Sequence, residues 1–182
     1  THNIDAIILQ DYNKGVLTKN IIEKILSLAN NKNIPTIVDP KKHNFLSYRN
    51  CTLFKPNLKE IKDGLNIIED INDFNEIEKT TSKLRDIISA KAILLTLSNK
   101  GIFLNTNNGS KLTESTTTNV IDVSGAGDTV VSVAAMCLAC NIDLNELAIL
   151  ANIAGGIVCE KVGVVPITNQ ELFNRAKKLL NV

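Results

Sequence analysis

Short apolar runs alternate along the chain with longer amphipathic stretches, and each short run ends in polar residues. Ile4 to Leu9, Thr36-Ile37-Val38, Thr52-Leu53-Phe54 and Ala92 to Leu97 are too short for helices, which predicts buried strands. Between the first two, Ile21, Ile22, Ile25, Leu26, Leu28 and Ala29 recur at helical spacing behind Thr18, an expected N-cap. Asn30 to Asn33 and Pro35 stop that helix. Strand, helix, strand implies a right-handed parallel crossover. Asp73 to Ser89 carries Phe74, Ile77, Leu84, Ile87 and Ile88, a further helix with a polar outer face. Ile102 to Leu104 and then Asn107-Asn108-Gly109 predict a strand and a hairpin turn.

Past a polar loop from Thr113 to Asn119, Val130 to Leu138 and Leu144 to Val162 read as two buried helices, the second closed by Gly163 at C′. Thr168 and Glu171 predict a capping box opening a last helix whose Leu172, Phe173, Ala176, Leu179 and Leu180 face inward. The expected fold class is α/β, a mostly parallel sheet flanked by helices.

The chemistry concentrates where a polar string enters the first of those buried helices, Asp122-Val-Ser-Gly-Ala-Gly-Asp128. Gly125 to Asp128 would form the first helical turn, where amides lack intrahelical partners and the helix dipole favours anions. A glycine costs about 1 kcal/mol against alanine in a helix interior, less at an end, whereas a donor aimed at developing charge is worth about 3 kcal/mol. The string therefore reads as a phosphate cradle, with Asp128 beside it to take a proton from an attacking hydroxyl. The structural alternative is that Asp128 complements the helix dipole and the glycines allow close packing.

Other polar positions carry similar pairs of readings. Asp39 and Lys41 follow a strand's carboxyl end, where open α/β sheets collect ligands, or are solvated loop charges. Asn57 and Glu60 form a capping box by spacing alone. Thr96 and Gly101 bracket a turn, and Asn152 and Gly155 fit core packing within a helix.

The composition removes several classes. With 44% hydrophobic and 21% charged residues among 182, the chain can bury one sizeable core, and a net charge of +1 argues against nucleic acid or an anionic membrane as partner. No run is long enough to span a bilayer, and a cytoplasmic location is expected. Cys51, Cys137, Cys140 and Cys159 lack the density of a disulfide scaffold, and Cys137 and Cys140 are expected to be buried packing residues. Neither His2 nor His43 has a triad partner in view. The chain begins with Thr1 and enters a strand almost at once, which suggests a piece of a larger protein.

The string from Asp122 to Asp128 resembles the second signature of the ribokinase-like (PfkB) carbohydrate kinases, Asp-Thr/Ser-x-Gly-Ala-Gly-Asp. That resemblance implies an anion hole at Gly125, Ala126 and Gly127 and a catalytic base at Asp128. Asn57 and Glu60 match the family's Asn-x-x-Glu motif, which implies that Glu60 helps hold Mg²⁺, partly through water, a fitting role for a metal that keeps most of its hydration. Thr96 to Gly101 matches the segment beside the nucleotide phosphates, with Ser98 in place of its middle glycine. By the same resemblance Asn57, Lys59, Glu60, Thr96, Ser98, Gly101, Asn152 and Gly155 are expected on the ATP side, and Asp11, Lys14, Asp39, Lys41 and Asp122 on the sugar side.

Asp11 to Thr18, Val38 to Lys41 and Lys55 to Glu60 look most like bacterial heptose 7-phosphate kinases, which also occur fused to an ADP-heptose adenylyltransferase. Those kinases usually have Gly where Asn13 stands, and Asn tolerates the left-handed conformation such a turn needs. The implied activity is transfer of the γ-phosphoryl of Mg·ATP to a sugar hydroxyl. By the same resemblance residues 1–182 are expected to correspond to the carboxyl-terminal part of one ribokinase-like domain, lacking the amino-terminal part and the β lid. Implied partners are ATP and a sugar phosphate, and a homodimer of the full-length protein is left open. Two alternatives remain: a kinase of the same fold acting on fructose, ribose or a nucleoside, and a non-catalytic nucleotide-binding fragment.

Overall fold

A computed structural model describes residues 3–71, 73–117 and 119–180. Among these residues six strands form one sheet in sequence order: β1 (Ile7–Gln10), β2 (Thr36–Asp39), β3 (Leu53–Phe54), β4 (Ala92–Thr96), β5 (Ile102–Thr106) and β6 (Gly109–Thr113). β1 to β4 run parallel, and β5 and β6 return antiparallel through the hairpin expected at Asn107 and Asn108. The sheet is thus mixed, and its direction changes after Thr96.

Among the described residues six α-helices cover it: α1 (Lys19–Asn31), α2 (Leu58–Leu65), α3 (Phe74–Ile88), α4 (Ala126–Ala139), α5 (Leu144–Cys159) and α6 (Asn169–Leu180). Strand side chains alternate between faces, so neighbouring residues feed two cores. Val38, Phe54, Leu95 and Phe103 pack with Ile22, Leu26, Ile61 and Leu84 of α1, α2 and α3. Ile37, Leu53, Leu94 and Leu104 pack with Val130, Ala134, Leu147 and Ala151 of α4 and α5. β2 and β3 are buried at every position, as expected of strands covered on both sides.

Local chemistry sets the helix ends. Thr18 caps α1 by accepting from Ile21 N at 3.4 Å. The box at Asn57 is complete, with Glu60 N donating to Asn57 Oδ1 at 2.8 Å and Asn57 N to Glu60 Oε2 at 2.9 Å. Thr168 and Glu171 form the reciprocal bonds of the expected second box. Asn13 sits at φ 54° and Ser98 at φ 55°, so both occupy the left-handed conformation that glycine would otherwise supply.

Three expectations change. α5 ends at Cys159 with Glu160 as its C-cap, so Gly163 lies in the following turn and not at C′. Cys140 is exposed at the end of α4, whereas Cys137 is buried as expected. In α6, Leu172 and Ala176 are half-buried, but Phe173, Leu179 and Leu180 face outward. Leu172 packs on the core formed by α4 and α5, and ion pairs flank that contact: Arg175 makes two bonds to Glu160, at 2.9 and 2.6 Å, and Lys161 Nζ meets Glu171 Oε1 at 2.6 Å.

The Lys161 side chain, followed by the Thr168 amide and hydroxyl, holds the Glu171 carboxyl down at about 2 from 4.5. A depressed carboxyl stabilises the fold above its unfolded pKa and loses that contribution as pH falls through the folded value. The melting temperatures of wild type and Glu171→Gln, measured by circular dichroism, should therefore converge as pH drops from 4.5 to about 2. Parallel curves across that window would show that Glu171 does not anchor α6.

Candidate active site

The carboxyl ends of β1 to β4 and the first turn of α4 meet in one place, because the loops after those strands are tied to each other. Lys55 N donates to Val38 O at 2.8 Å, and Thr96 N to Pro56 O at 3.0 Å, so the segment after β3 is held between β2 and β4. Asn57 forms a bridge with Thr96. After β4 a 3-10 turn over Ser98–Lys100 closes on Gly101, which stands at φ 97°. A side chain there would lie 2.1 Å from Thr113 O, so the turn requires glycine.

α4 begins at Ala126, with Gly125 as its left-handed N-cap at φ 78°. The expected first turn is therefore shifted by one residue, and only Gly127 carries a helix-interior cost. Ala126 N donates to Val123 O at 3.2 Å, whereas the amides of Gly125, Gly127 and Asp128 have no acceptor among the described residues. Three donors at a helix start thus remain for an anion. Asp122 holds this turn: its Oδ1 accepts from Ser124 N and Oγ at 2.9 and 2.7 Å, and its Oδ2 from Gly163 N at 2.9 Å. The Ser124 hydroxyl first, and then the amides of Ser124 and Gly163, hold the Asp122 carboxyl below the usual carboxylate range. Ile121 N and Asp122 N both donate to Cys159 O, joining the turn to the end of α5.

These pieces border a cavity of about 590 Å³. Of the residues expected on the ATP side, Asn57, Lys59, Thr96, Ser98, Gly101, Asn152 and Gly155 line it, as do Ala126 and Gly127 of the expected anion hole. Glu60, Gly125 and Asp128 stand outside the lining. Asn152 donates to Glu114 O at 2.8 Å, and a side chain at Gly155 would lie 3.0 Å from Val130, so both also serve packing. Lys55 lines the cavity and went unrecognised in the sequence, where a cation behind a two-residue strand looks like loop charge.

Lys55 is 4% exposed and pairs with Asp39 at 2.9 Å. Its ammonium would stand 3.7 Å from a side chain at Gly127, which places a positive charge against the cradle. Gln10, also missed, donates through Nε2 to Asp39 Oδ2 and, at 3.0 Å, to Asp128 Oδ1. Glu60 completes its cap through Oε2 while Oε1 accepts from Lys41 Nζ. Burial would lower the Lys41 ammonium, but the bond and charge of Glu60, with the charges of Asp39 and Asp11, outweigh it and raise the pKa.

Asp11 and Lys14, also expected on the sugar side, both follow β1, and Asp11 N donates to Asp39 O at 3.0 Å. Asp11 is buried and accepts from Tyr48 Oη and Asn13 N, both at 2.7 Å, and from Asn44 Nδ2 at 3.4 Å, so it holds the loop after β1 to the segment after β2. Lys14 lies on the exposed part of that loop. His2 lies outside the described residues, and His43 is exposed.

Free amides at a helix start beside a cavity, at the carboxyl ends of parallel strands, are the arrangement in which α/β proteins hold anionic ligands. The pfkB family carbohydrate kinase model matches residues 2–170, and the chain belongs to that family. It is 38% identical to the bifunctional protein HldE of Campylobacter jejuni strain RM1221 over 167 residues, covering 92% of this chain and 36% of that protein. HldE of Koribacter versatilis is 35% identical, covering 93% and 35%. The chain thus spans about a third of the length of these curated relatives. Among solved structures, phosphofructokinase-2 from Escherichia coli in complex with potassium superposes with a TM-score of 0.85 at 19% identity, covering 97% of this chain and 58% of that one. Arabidopsis thaliana ribokinase complexed with ribose and ATP gives 0.81 at 18% identity, covering 95% and 56%. The ribokinase-like fold expected from the motifs is therefore present.

The buried Asp39–Lys55 pair makes a specific demand. Removing one partner strands the other charge away from water, typically at a cost of about 3–5 kcal/mol, and the bond from Gln10 to Asp39 offsets part of it. Lys55→Met should lose about 3 kcal/mol in urea unfolding, and adding Asp39→Asn should restore most of it. Additive losses would show that the two side chains are not coupled.

Proposed function

We propose that the protein transfers the γ-phosphoryl group of Mg·ATP to a sugar hydroxyl, with heptose 7-phosphate as acceptor and heptose 1,7-bisphosphate as product, a step toward ADP-heptose in the cytoplasm. The carrying observation is that Gly127 of the helix start, Lys55 and the segment from Thr96 to Gly101 line one cavity, with further unpaired amides at Gly125 and Asp128 in the same turn as Gly127. The similarity to HldE proteins and the loop strings at Asp11, Val38 and Lys55 support the heptose acceptor. On this reading, residues 1–182 are the carboxyl-terminal, nucleotide-binding and catalytic part of one ribokinase-like domain.

The triphosphate lies between the turn at Ser98 and the start of α4, with the adenosine toward Asn152 and Gly155. The acceptor approaches from the ends of β1 and β2, where Asp39, Lys41 and Lys14 stand. Its hydroxyl oxygen attacks the γ-phosphorus, the bond to the bridging oxygen of ADP breaks, and the proton passes to the Asp128 carboxylate. A carboxylate is a weak base toward an alcohol, so the proton moves late, as the new bond forms. The free amides and Lys55 stabilise charge on the phosphoryl oxygens. Glu60 is the carboxylate that would hold Mg²⁺, in exchange for its bond to Lys41, and the metal would neutralise phosphate charge there.

Asp128→Asn removes the proton acceptor while leaving the cavity lining intact. Phosphoryl transfer to heptose 7-phosphate by the complete gene product should fall by at least about 10²-fold, with ATP affinity changed by no more than a few-fold. Equal loss of ATP binding and of folding would mean that Asp128 serves the helix end instead. Activity on fructose, ribose or a nucleoside, with none on heptose 7-phosphate, would move the acceptor. Tight ATP binding with no transfer to any of them would favour a non-catalytic role.

A further inference from the structure

We infer that Gln10 is a positioning residue that fixes one oxygen of the Asp128 carboxylate and leaves the other free for the acceptor proton; this rests on the reading of Asp128 as that proton's acceptor. Asp128 is exposed on the first turn of α4, where an aspartate side chain otherwise samples several rotamers. Among the described residues, only Gln10 donates to its carboxylate, through Nε2 to Oδ1 at 3.0 Å.

Gln10 is itself held. It is the last residue of β1, in register with Asp39 at the end of β2, and its Nε2 also donates to Asp39 Oδ2. Asp39 is anchored in turn by the buried Lys55 ammonium at 2.9 Å. The position of Asp128 is therefore set by the sheet, through a chain of side chains from three consecutive strand ends.

The amide is the group this place requires. Two carboxylates facing one another repel and can only accept, so whatever stands between them must donate to both. A carboxamide NH₂ has the two N–H groups, and its orientation follows from its partners, since a carbonyl oxygen aimed at two carboxylates would be unfavourable. A lysine here would neutralise Asp128 and weaken it as a proton acceptor. The neutral donor holds the carboxylate while leaving it charged.

The test compares Gln10→Leu, Gln10→Glu and Asp128→Asn in the complete gene product. It measures steady-state transfer from ATP to heptose 7-phosphate, with other sugar phosphates and nucleosides as substitute acceptors, and ATP binding as the control for folding. Gln10→Leu should lower kcat by about 10- to 100-fold, the scale of a misplaced reacting group, and leave KM for ATP within about two-fold. Gln10→Glu keeps the shape but turns a double donor into a third carboxylate, so it should fall below Gln10→Leu. A Gln10→Glu variant as active as wild type, or more active than Gln10→Leu, would show that shape alone matters and would overturn the inference. An inactive Asp128→Asn beside unimpaired Gln10 variants would overturn the role of Gln10 and spare that of Asp128. An active Asp128→Asn, or a wild type inactive on every acceptor, would overturn both.

Discussion

The buried ion pair between Asp39 and Lys55 is the constraint on which the site depends. Neither residue is more than 5% exposed, and an unpaired ion in such a place costs several kcal/mol. The pair therefore fixes the relative position of the loops after β2 and β3. It also determines what can lie above it: the Lys55 ammonium abuts Gly127, so the start of α4 approaches a fixed positive charge. An anion would then meet that charge and the free amides of the turn together.

The change of strand direction after β4 gives this charge a cavity to act in. Parallel strands bring their carboxyl ends to one edge of the sheet, and the antiparallel return through β5 leaves the turn at Ser98–Lys100 on that same edge. The apolar packing of α4 and α5 against the opposite surface of β2 to β5 holds the helix start over it. Asp122 and the Cys159 carbonyl then tie the turn before α4 to the end of α5. The flexible-looking glycine string is thus restrained at both sides, as preorganised donors must be if they are to stabilise charge.

Much of this was legible in the sequence, because burial on both faces produces short apolar runs that name the strands directly. The strands at Ile7, Thr36 and Ala92, the hairpin and the caps at Thr18, Asn57 and Thr168 all follow from local rules. The outward face of α6 did not: Phe173, Leu179 and Leu180 fit an inward stripe by spacing, yet they stay exposed while Leu172 packs on the core and ion pairs, which carry no periodicity, join the helix to the residues after α5. Motif spacing likewise brought Asn57, Thr96, Ser98, Gly101 and Gly127 to one cavity. Gln10 and Lys55 were invisible because each acts through a partner distant in sequence, Asp128 and Asp39 respectively. Asp11 has the reverse history, a polar residue at a strand end whose carboxylate turns inward to Tyr48.

The proposed site stands or falls on where the terminal phosphate of a bound nucleotide lies. A crystal structure of the complete gene product with Mg²⁺ and a non-hydrolysable ATP analogue would locate it. The proposed site requires the γ-phosphate at the amides of Gly127 and Asp128, beside the Lys55 ammonium, with the rest of the triphosphate along the turn from Thr96 to Gly101. A triphosphate bound away from α4, with the amides of Gly125, Gly127 and Asp128 facing only water, would contradict it.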